Sequence, residues 1–276
     1  MGLSKRVVYL RDFKTEADKL RKSWGRTDQF LASHLAGKPV DNRPNFNAYL
    51  GGGYGRKDGY EIVLLYGDTG VGKSTVGLNF LYDPIVNGKK VGLLVLEDAG
   101  ADVYIRLSNI LGVEGTEKYI MGSDNIHFMP QEDLVKSWNL DDLLKLIEEW
   151  FEDRKIDVIF LDHLQFAFEG AESIKGENEY ISQRIFMQKL NQLMKRLNKT
   201  IILISHVNKA SNVKGMAKIV GSGSIAQAGT KVIEVQEDED MGVGALRIWL
   251  RKSRFTAKPG YHFSMRLKDG ILEPNA

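Results

Sequence analysis

The chain contains no cysteine. That absence removes disulfides, thiolate zinc sites, iron–sulfur ligation and cysteine nucleophiles together. Histidine is sparse: the five residues, at 34, 127, 163, 206 and 262, never fall at the short i,i+3 to i,i+5 spacings of a histidine zinc site. Local spacing therefore argues against one. No apolar run approaches the length of about eighteen residues needed to span a bilayer. Residues 1–10 (MGLSKRVVYL) also lack the apolar stretch and cleavage site of a signal peptide. An excess of one charge is missing as well, since 38 basic against 36 acidic side chains leave only +2. Bulk charge does not call for a polyanion partner. The expectation is a soluble, intracellular protein with no membrane partner, in the cytoplasm or in an organellar or viral compartment.

What is present is ordinary globular composition, with 43% apolar and 27% charged residues over 276 positions. That is enough chain for one large or two small domains with a proper core. Asp12–Ala36 carries apolar residues at helical spacing, including Phe13, Ala17, Leu20 and Trp24, and Gly37–Asp58 has loop composition. Residues 1–60 hold twelve basic and six acidic side chains, a local +6. They read either as a solvated helix with a tether or as an arm that packs on a neighbouring subunit. Residues 1–43 are taken as this arm and linker, and 44–276 as the main domain.

From Glu61 the pattern alternates. Short β-branched runs (EIVLLYG, KVGLLVL, DVIFLD, TIILIS) are separated by helical stretches at Lys73–Tyr82, Ala101–Leu111, Leu140–Asp153 and Tyr180–Leu197. This predicts a mostly parallel sheet covered on both faces. Past residue 230 the helical patterns stop. Lys231–Gln236, Ala245–Arg251 and Tyr261–Leu267 read as strands, predicting antiparallel pairing at one edge.

Gly67-Asp68-Thr69-Gly70-Val71-Gly72-Lys73-Ser74 matches the phosphate-loop pattern G-x-x-x-x-G-K-[ST] between a predicted strand and a predicted helix, and Thr75 follows it. The glycines let backbone N–H groups face the phosphates of ATP or another nucleoside triphosphate, and the helix N-terminus adds positive potential. Lys73 is placed to neutralise the β- and γ-phosphates and Ser74 to ligate Mg²⁺. Asp162 ends the strand DVIFLD and is the second candidate for the Mg²⁺ shell. Glu97 closes VGLLVLE and is the candidate base for the attacking water. His206 follows IILIS and falls on the same predicted edge. Each also has a blander reading as a cap, turn or locally satisfied residue.

These residues and their neighbours resemble the RecA-like motor domain of hexameric replicative helicases, of the DnaB and phage primase–helicase types. Beyond the phosphate loop the resemblance is carried by VIFLDHLQF, by ISHVNK with GSGSIAQAGT, and by LRKSRFT, and it spans about residues 44–274. It implies a RecA-like P-loop core, Mg²⁺-dependent nucleotide hydrolysis, movement along single-stranded DNA and duplex unwinding. It further implies a homo-oligomeric ring with sites at subunit interfaces. By the same resemblance Arg106 is a site arginine, His206 a γ-phosphate sensor, and Lys252 and Arg254 residues donated in trans, Arg254 as the finger. Lys209, Lys214 and Lys218, in the acid-free stretch Asn208–Val220, then face DNA together with Ser222, Gly223 and Ser224. The loop after Asp162 is more acidic than a DNA-facing loop prefers, though Lys175 could contribute. Family members carry an extra N-terminal domain, so the resemblance implies either a minimal motor or one whose partner, a primase or loader, is a separate polypeptide. A RecA/RadA-like filament ATPase and a KaiC-like regulatory ATPase remain as alternatives.

Overall fold

The structure is a computed structural model that describes residues 50, 53–56, 59–130, 139–169, 179–207, 216, 219, 223–254, 260, 262–268 and 270–274. The apolar runs form the strands expected of them: β1 (Glu61–Gly67), β2 (Val91–Val95), β4 (Val158–Asp162) and β5 (Thr200–His206). Between them stand α1 (Lys73–Phe80), α2 (Tyr82–Val86), α3 (Gly100–Gly115), α4 (Leu140–Glu152), the short α5 (Leu164–Glu169) and α6 (Glu179–Leu197). A short strand β3 (Ile126–Pro130) precedes α4, and α7 (Gly223–Ala228) leads into β6 (Lys231–Glu237). β7 (Ala245–Ser253), β8 (His262–Lys268) and β9 (Ile271–Pro274) complete the sheet.

The nine strands lie in the order β3-β2-β4-β5-β1-β6-β7-β8-β9. Every pair from β3 to β6 is parallel, and β7, β8 and β9 turn back antiparallel. This is the mostly parallel sheet with an antiparallel C-terminal edge read from the sequence. The central strands β1, β2, β4 and β5 are buried on both faces, which explains their near-continuous apolar composition.

Alternate residues of each strand feed two cores. Val63 and Leu65 of β1 join Val76, Phe80, Val103 and Leu107 on one face, while Ile62, Leu64 and Tyr66 join Ile147, Phe151, Phe186 and Leu190 on the other. Asn139 begins α4 with a capping box, its side chain accepting from the Asp142 N–H and its own N–H donating to Asp142. The stretch expected as one helix from Lys73 to Tyr82 is divided at Leu81, whereas α3 breaks after its expected end at Leu111, where Gly112 takes φ of 70° before one further turn to Gly115. β3 and β9 had no counterpart in the sequence reading. β3 is an edge strand closing on Pro130, and β9 has four residues, neither with an unbroken apolar run. A single 3₁₀ turn, Glu239–Met241, lies where only an acidic turn was expected.

Below the sheet, Lys231 is fully buried and donates to the Gly53 carbonyl at 2.7 Å, with Glu61 3.4 Å away. The Glu61 carboxylate accepts from the Gly55 N–H, and the Tyr54 hydroxyl donates to the Phe80 carbonyl. These contacts fasten residues 53–55 to the domain, so it extends N-terminal of β1.

The α1–sheet contact is tight enough to require glycine. A Cβ on Gly77 would stand 2.3 Å from Phe160 Cε2 and 3.2 Å from Ile204 Cδ1, against a ring that is 1% exposed. Gly77→Ala gains helix propensity of about 1 kcal/mol but overpacks the core by about 1–3 kcal/mol. We expect net destabilisation, read as a lower urea midpoint with an unchanged denaturant slope.

Candidate nucleotide site

β1 delivers the phosphate loop, and the backbone shows why glycine is needed there. Gly70 and Gly72 have φ of 84° and 92°, left-handed values that favour glycine and turn the loop around an open centre. Gly72 is the residue immediately before α1, so the N–H groups of the first helical turn point into that centre. Gly67 ends β1, and Asp68 supplies the carbonyl to which Lys73 Nζ donates at 2.7 Å. Lys73 is 4% exposed, so the loop stores the cation that phosphate oxygens would draw off. Val71 packs into the core beneath.

Parallel pairing brings the other residues to the same edge. Val95 of β2 is level with Asp162 of β4, and Gly67 of β1 with His206 of β5. Thr69, Gly70, Gly72, Lys73, Ser74 and Thr75 therefore share one cleft of about 320 Å³ with Glu97, Arg106, Asp162 and His206. Of the residues expected at the nucleotide in cis, these are brought together.

Asp162 is 2% exposed, and its Oδ1 is buried without a hydrogen-bond partner among the described residues. Burial raises its carboxyl to about 7, while a hydrogen bond from Ser74 pulls the other way. An orphaned buried carboxylate beside a serine hydroxyl fits the oxygen-donor chemistry of Mg²⁺. Ser74 and Asp162 are the residues that would hold the ion there, and it would offset phosphate charge. Glu97 is half-exposed; partial burial and then the neighbouring Asp98 raise its carboxyl above the ordinary value. This is the direction useful to a base.

Two residues of the cleft escaped the sequence reading. Asp98 pairs with Arg106 at 2.6 Å, fixing the guanidinium at the cleft wall; its position after Glu97 in LED was the available signal. His163 follows Asp162 and sets its Nε2 3.3 Å from Glu97 Oε2, with His206 Nε2 4.0 Å from the same oxygen. Burial and the neighbouring His206 lower His163 to about 3. Gln165 spans the next gap, donating to Ser205 Oγ and accepting from the His206 N–H. Asn79 of α1 donates to the carbonyls of Thr75 and Gly270 and accepts from the Leu272 N–H, joining the helix behind the loop to the C-terminal hairpin.

Lys252 and Arg254 lie elsewhere. β7 runs against β6, so Ser253 is level with Lys231 at the start of β6, whereas Gly67 is level with Val235 towards its end. At about 3.3 Å per residue, the span from Lys231 to Val235 puts roughly 13 Å between the two levels. Lys252 Nζ donates to the carbonyls of Ala226 and Gln227, and Arg254 also donates to Gln227. The stretch Arg247–Lys268 holds no acidic residue of its own, yet two of its arginines are paired from outside it: Arg247 with Asp238 and Asp240, and Arg251 with Glu234. Gly223 and Ser224 open α7. Lys175, Lys209, Lys214, Lys218 and Ser222 lie outside the described residues.

The family model described as "AAA domain" matches residues 54–212, more than half the chain. The chain belongs to the AAA domain family. A DNA repair protein RadA from Synechocystis sp. is 24% identical over 158 residues, 56% of this chain and 30% of that protein. The chain thus spans about a third of the length of this relative. Among solved structures, one ATPase domain superposes with a TM-score of 0.71 at 13% identity, over 96% of this chain and 98% of that one. The KaiC-like protein PH0186 from Pyrococcus horikoshii OT3 superposes with a TM-score of 0.64 at 19% identity, over 84% and 95% of the two chains. The RadB recombinase gives 0.62 at 16% identity, over 83% and 96%. The fold of this AAA domain is RecA-like, and its phosphate loop is that of a P-loop nucleotide-binding ATPase domain. Among the described residues, no helix is long and apolar enough to cross a membrane.

The pH dependence of stability should expose Asp162. A carboxyl raised from 3.8 to about 7 binds its proton more tightly folded than unfolded. Its contribution is full below about 4 and is lost as pH rises to about 7. Without divalent ions, Asp162→Asn should lack that decline, and added Mg²⁺ should stabilise the parent but not the variant at pH 8. Unfolding free energies measured across this range check both; equal slopes would contradict the assignment.

Proposed function

We propose that the chain is the motor of a ring-shaped replicative-type DNA helicase, hydrolysing ATP or another nucleoside triphosphate with Mg²⁺ to move along single-stranded DNA. The observation that carries the hydrolytic part is the meeting of Lys73, Ser74, Glu97, Asp162 and His206 in one cleft. Lys73 and the loop hold the phosphates, Ser74 and Asp162 the metal, and Arg106 the cleft wall. Glu97 accepts the proton of the attacking water, and His206 senses the γ-phosphate. The helicase part is supported by the resemblance of DHLQF, GSGSIAQAG and LRKSRFT to the motor family. In this reading residues 44–276 are the motor domain, 1–43 are an arm, and a separate primase or loader joins the ring.

The rate with and without single-stranded DNA tests the coupling. DNA should raise turnover. Neutralising Lys209, Lys214 and Lys218 together should remove that stimulation and flatten the salt dependence of DNA binding by about 0.7 log unit per lost phosphate contact. Nucleotide affinity without DNA should hold. An unchanged salt slope would put the strand elsewhere.

Arg254 acts in trans in this reading. Its position beside the start of β6, away from its own cleft, favours that, as does the absence of a carboxylate partner among the described residues. A finger contributes about 10³–10⁵ in rate, so Arg254→Ala should bind nucleotide and assemble yet turn over orders of magnitude more slowly. Mixed with Glu97→Gln subunits it should regain activity, because an intact Glu97 then meets an intact Arg254. Full activity of Arg254→Ala alone ends the assignment.

The RadA match supports a second reading, an ATPase coating DNA as an open filament. Electron micrographs with single-stranded DNA and an ATP analogue separate closed rings from filaments. A KaiC-like regulatory role predicts no stimulation by DNA.

A further inference from the structure

Three adjacent strands, β2, β4 and β5, each present one metal-ligating side chain just at or beyond their C-terminal ends: Glu97, His163 and His206. Their donor atoms all lie within 4.8 Å of one another. Both Nε2 atoms converge on one carboxylate oxygen, at 3.3 and 4.0 Å, and the two rings meet edge to face with centroids 4.0 Å apart. In a tetrahedral zinc site with bonds of about 2.0–2.1 Å, donors stand roughly 3.4 Å apart, so no pair here must close by more than about 1.4 Å.

We propose that Glu97, His163 and His206 bind a divalent ion of the zinc class, at a position separate from that of Mg²⁺. Two imidazoles and one carboxylate select zinc, cobalt or nickel over magnesium, which prefers the oxygens of Ser74 and Asp162. Three protein ligands would leave a fourth position of such a tetrahedron to water. Supporting contacts already orient the ligands. Thr69 Oγ1 lies 3.4 Å from Nδ1 of His206, leaving Nε2 to the cleft, and Gln165 anchors the His206 backbone. His163 is held by burial at 4% exposure.

The consequence is inhibition. An ion on Glu97 Oε2 occupies the lone pair that would accept the water's proton, and it also withdraws His206. Lys73 stands outside this ligand set, so nucleotide binding persists while hydrolysis stops. Binding of the ion is independent of the proposed activity, whereas its inhibitory effect rests on Glu97 serving as base.

The test uses the full, nucleotide-free chain in excess Mg²⁺, titrated with Zn²⁺ against a fluorescent chelator. The same proteins are then titrated with Co²⁺ and followed by visible absorption. The parent should take one Zn²⁺ per chain and give the intense Co²⁺ band of a four-coordinate site. His206→Ala and His163→Gln should each weaken the ion at least tenfold and lose that band. His262→Ala, remote from the cleft, should match the parent. His206 is only half-buried, so His206→Ala keeps the test open if a change at buried His163 impairs folding. The proposal is overturned if the parent binds no Zn²⁺ stoichiometrically, or if His206→Ala, folded by thermal melt, binds it as the parent does. If Zn²⁺ binds as proposed but hydrolysis continues undiminished, the assignment of Glu97 as base fails and the metal site stands.

Discussion

The cleft depends on parallel register. β1, β2, β4 and β5 are buried on both faces and cannot slip without moving apolar side chains into the wrong core. The residue that follows each strand's last buried position is therefore carried to the same edge. Gly67 opens into the phosphate loop there, Val95 leads to Glu97, Asp162 ends β4 and His206 ends β5. Four segments far apart in sequence become neighbours because a sheet aligns its ends, and the chemistry at that edge inherits its geometry from apolar packing below.

Burial then sets the electrostatics. Asp162 is held almost out of solvent with one oxygen unpartnered among the described residues, a costly arrangement for an ionised carboxylate. Lys73 is equally enclosed but answers its charge with a loop carbonyl. The cleft thus holds a cation and an acidic group side by side, both almost out of solvent. In the proposed function, nucleotide with its metal would answer both charges, which gives the domain a reason to bind them together.

Much of this was legible in the sequence. The phosphate loop announces itself by glycine spacing, and the carboxylates at Glu97 and Asp162 are visible because apolar runs end on them. The antiparallel edge is visible because helical periodicity ceases after residue 230. Asp98, His163 and Gln165 were not legible as site residues, since each acts through a partner on another strand or helix. The histidines illustrate the limit well. At positions 163 and 206 they are too far apart for any local metal pattern, yet β4 and β5 are neighbours and the rings touch. β3 and β9 escaped because IHFMP and ILEP lack the unbroken apolar runs that reveal the equally short β2 and β4. The pairing of Arg247 and Arg251 escaped because their carboxylates come from the facing strand and its turn.

Asn79 has a wider reach than its size suggests. One buried side chain closes three hydrogen bonds, to Thr75 in its own helix and to Gly270 and Leu272 of the last hairpin. Opening of the hairpin strands that amide in the core, so fraying at β9 and loosening of α1 become one thermodynamic event. Reciprocity follows: whatever steadies the helix behind the phosphate loop also slows solvent exchange at the Leu272 amide, some two hundred residues along the chain. The last strand is, in this sense, a gauge of the first helix.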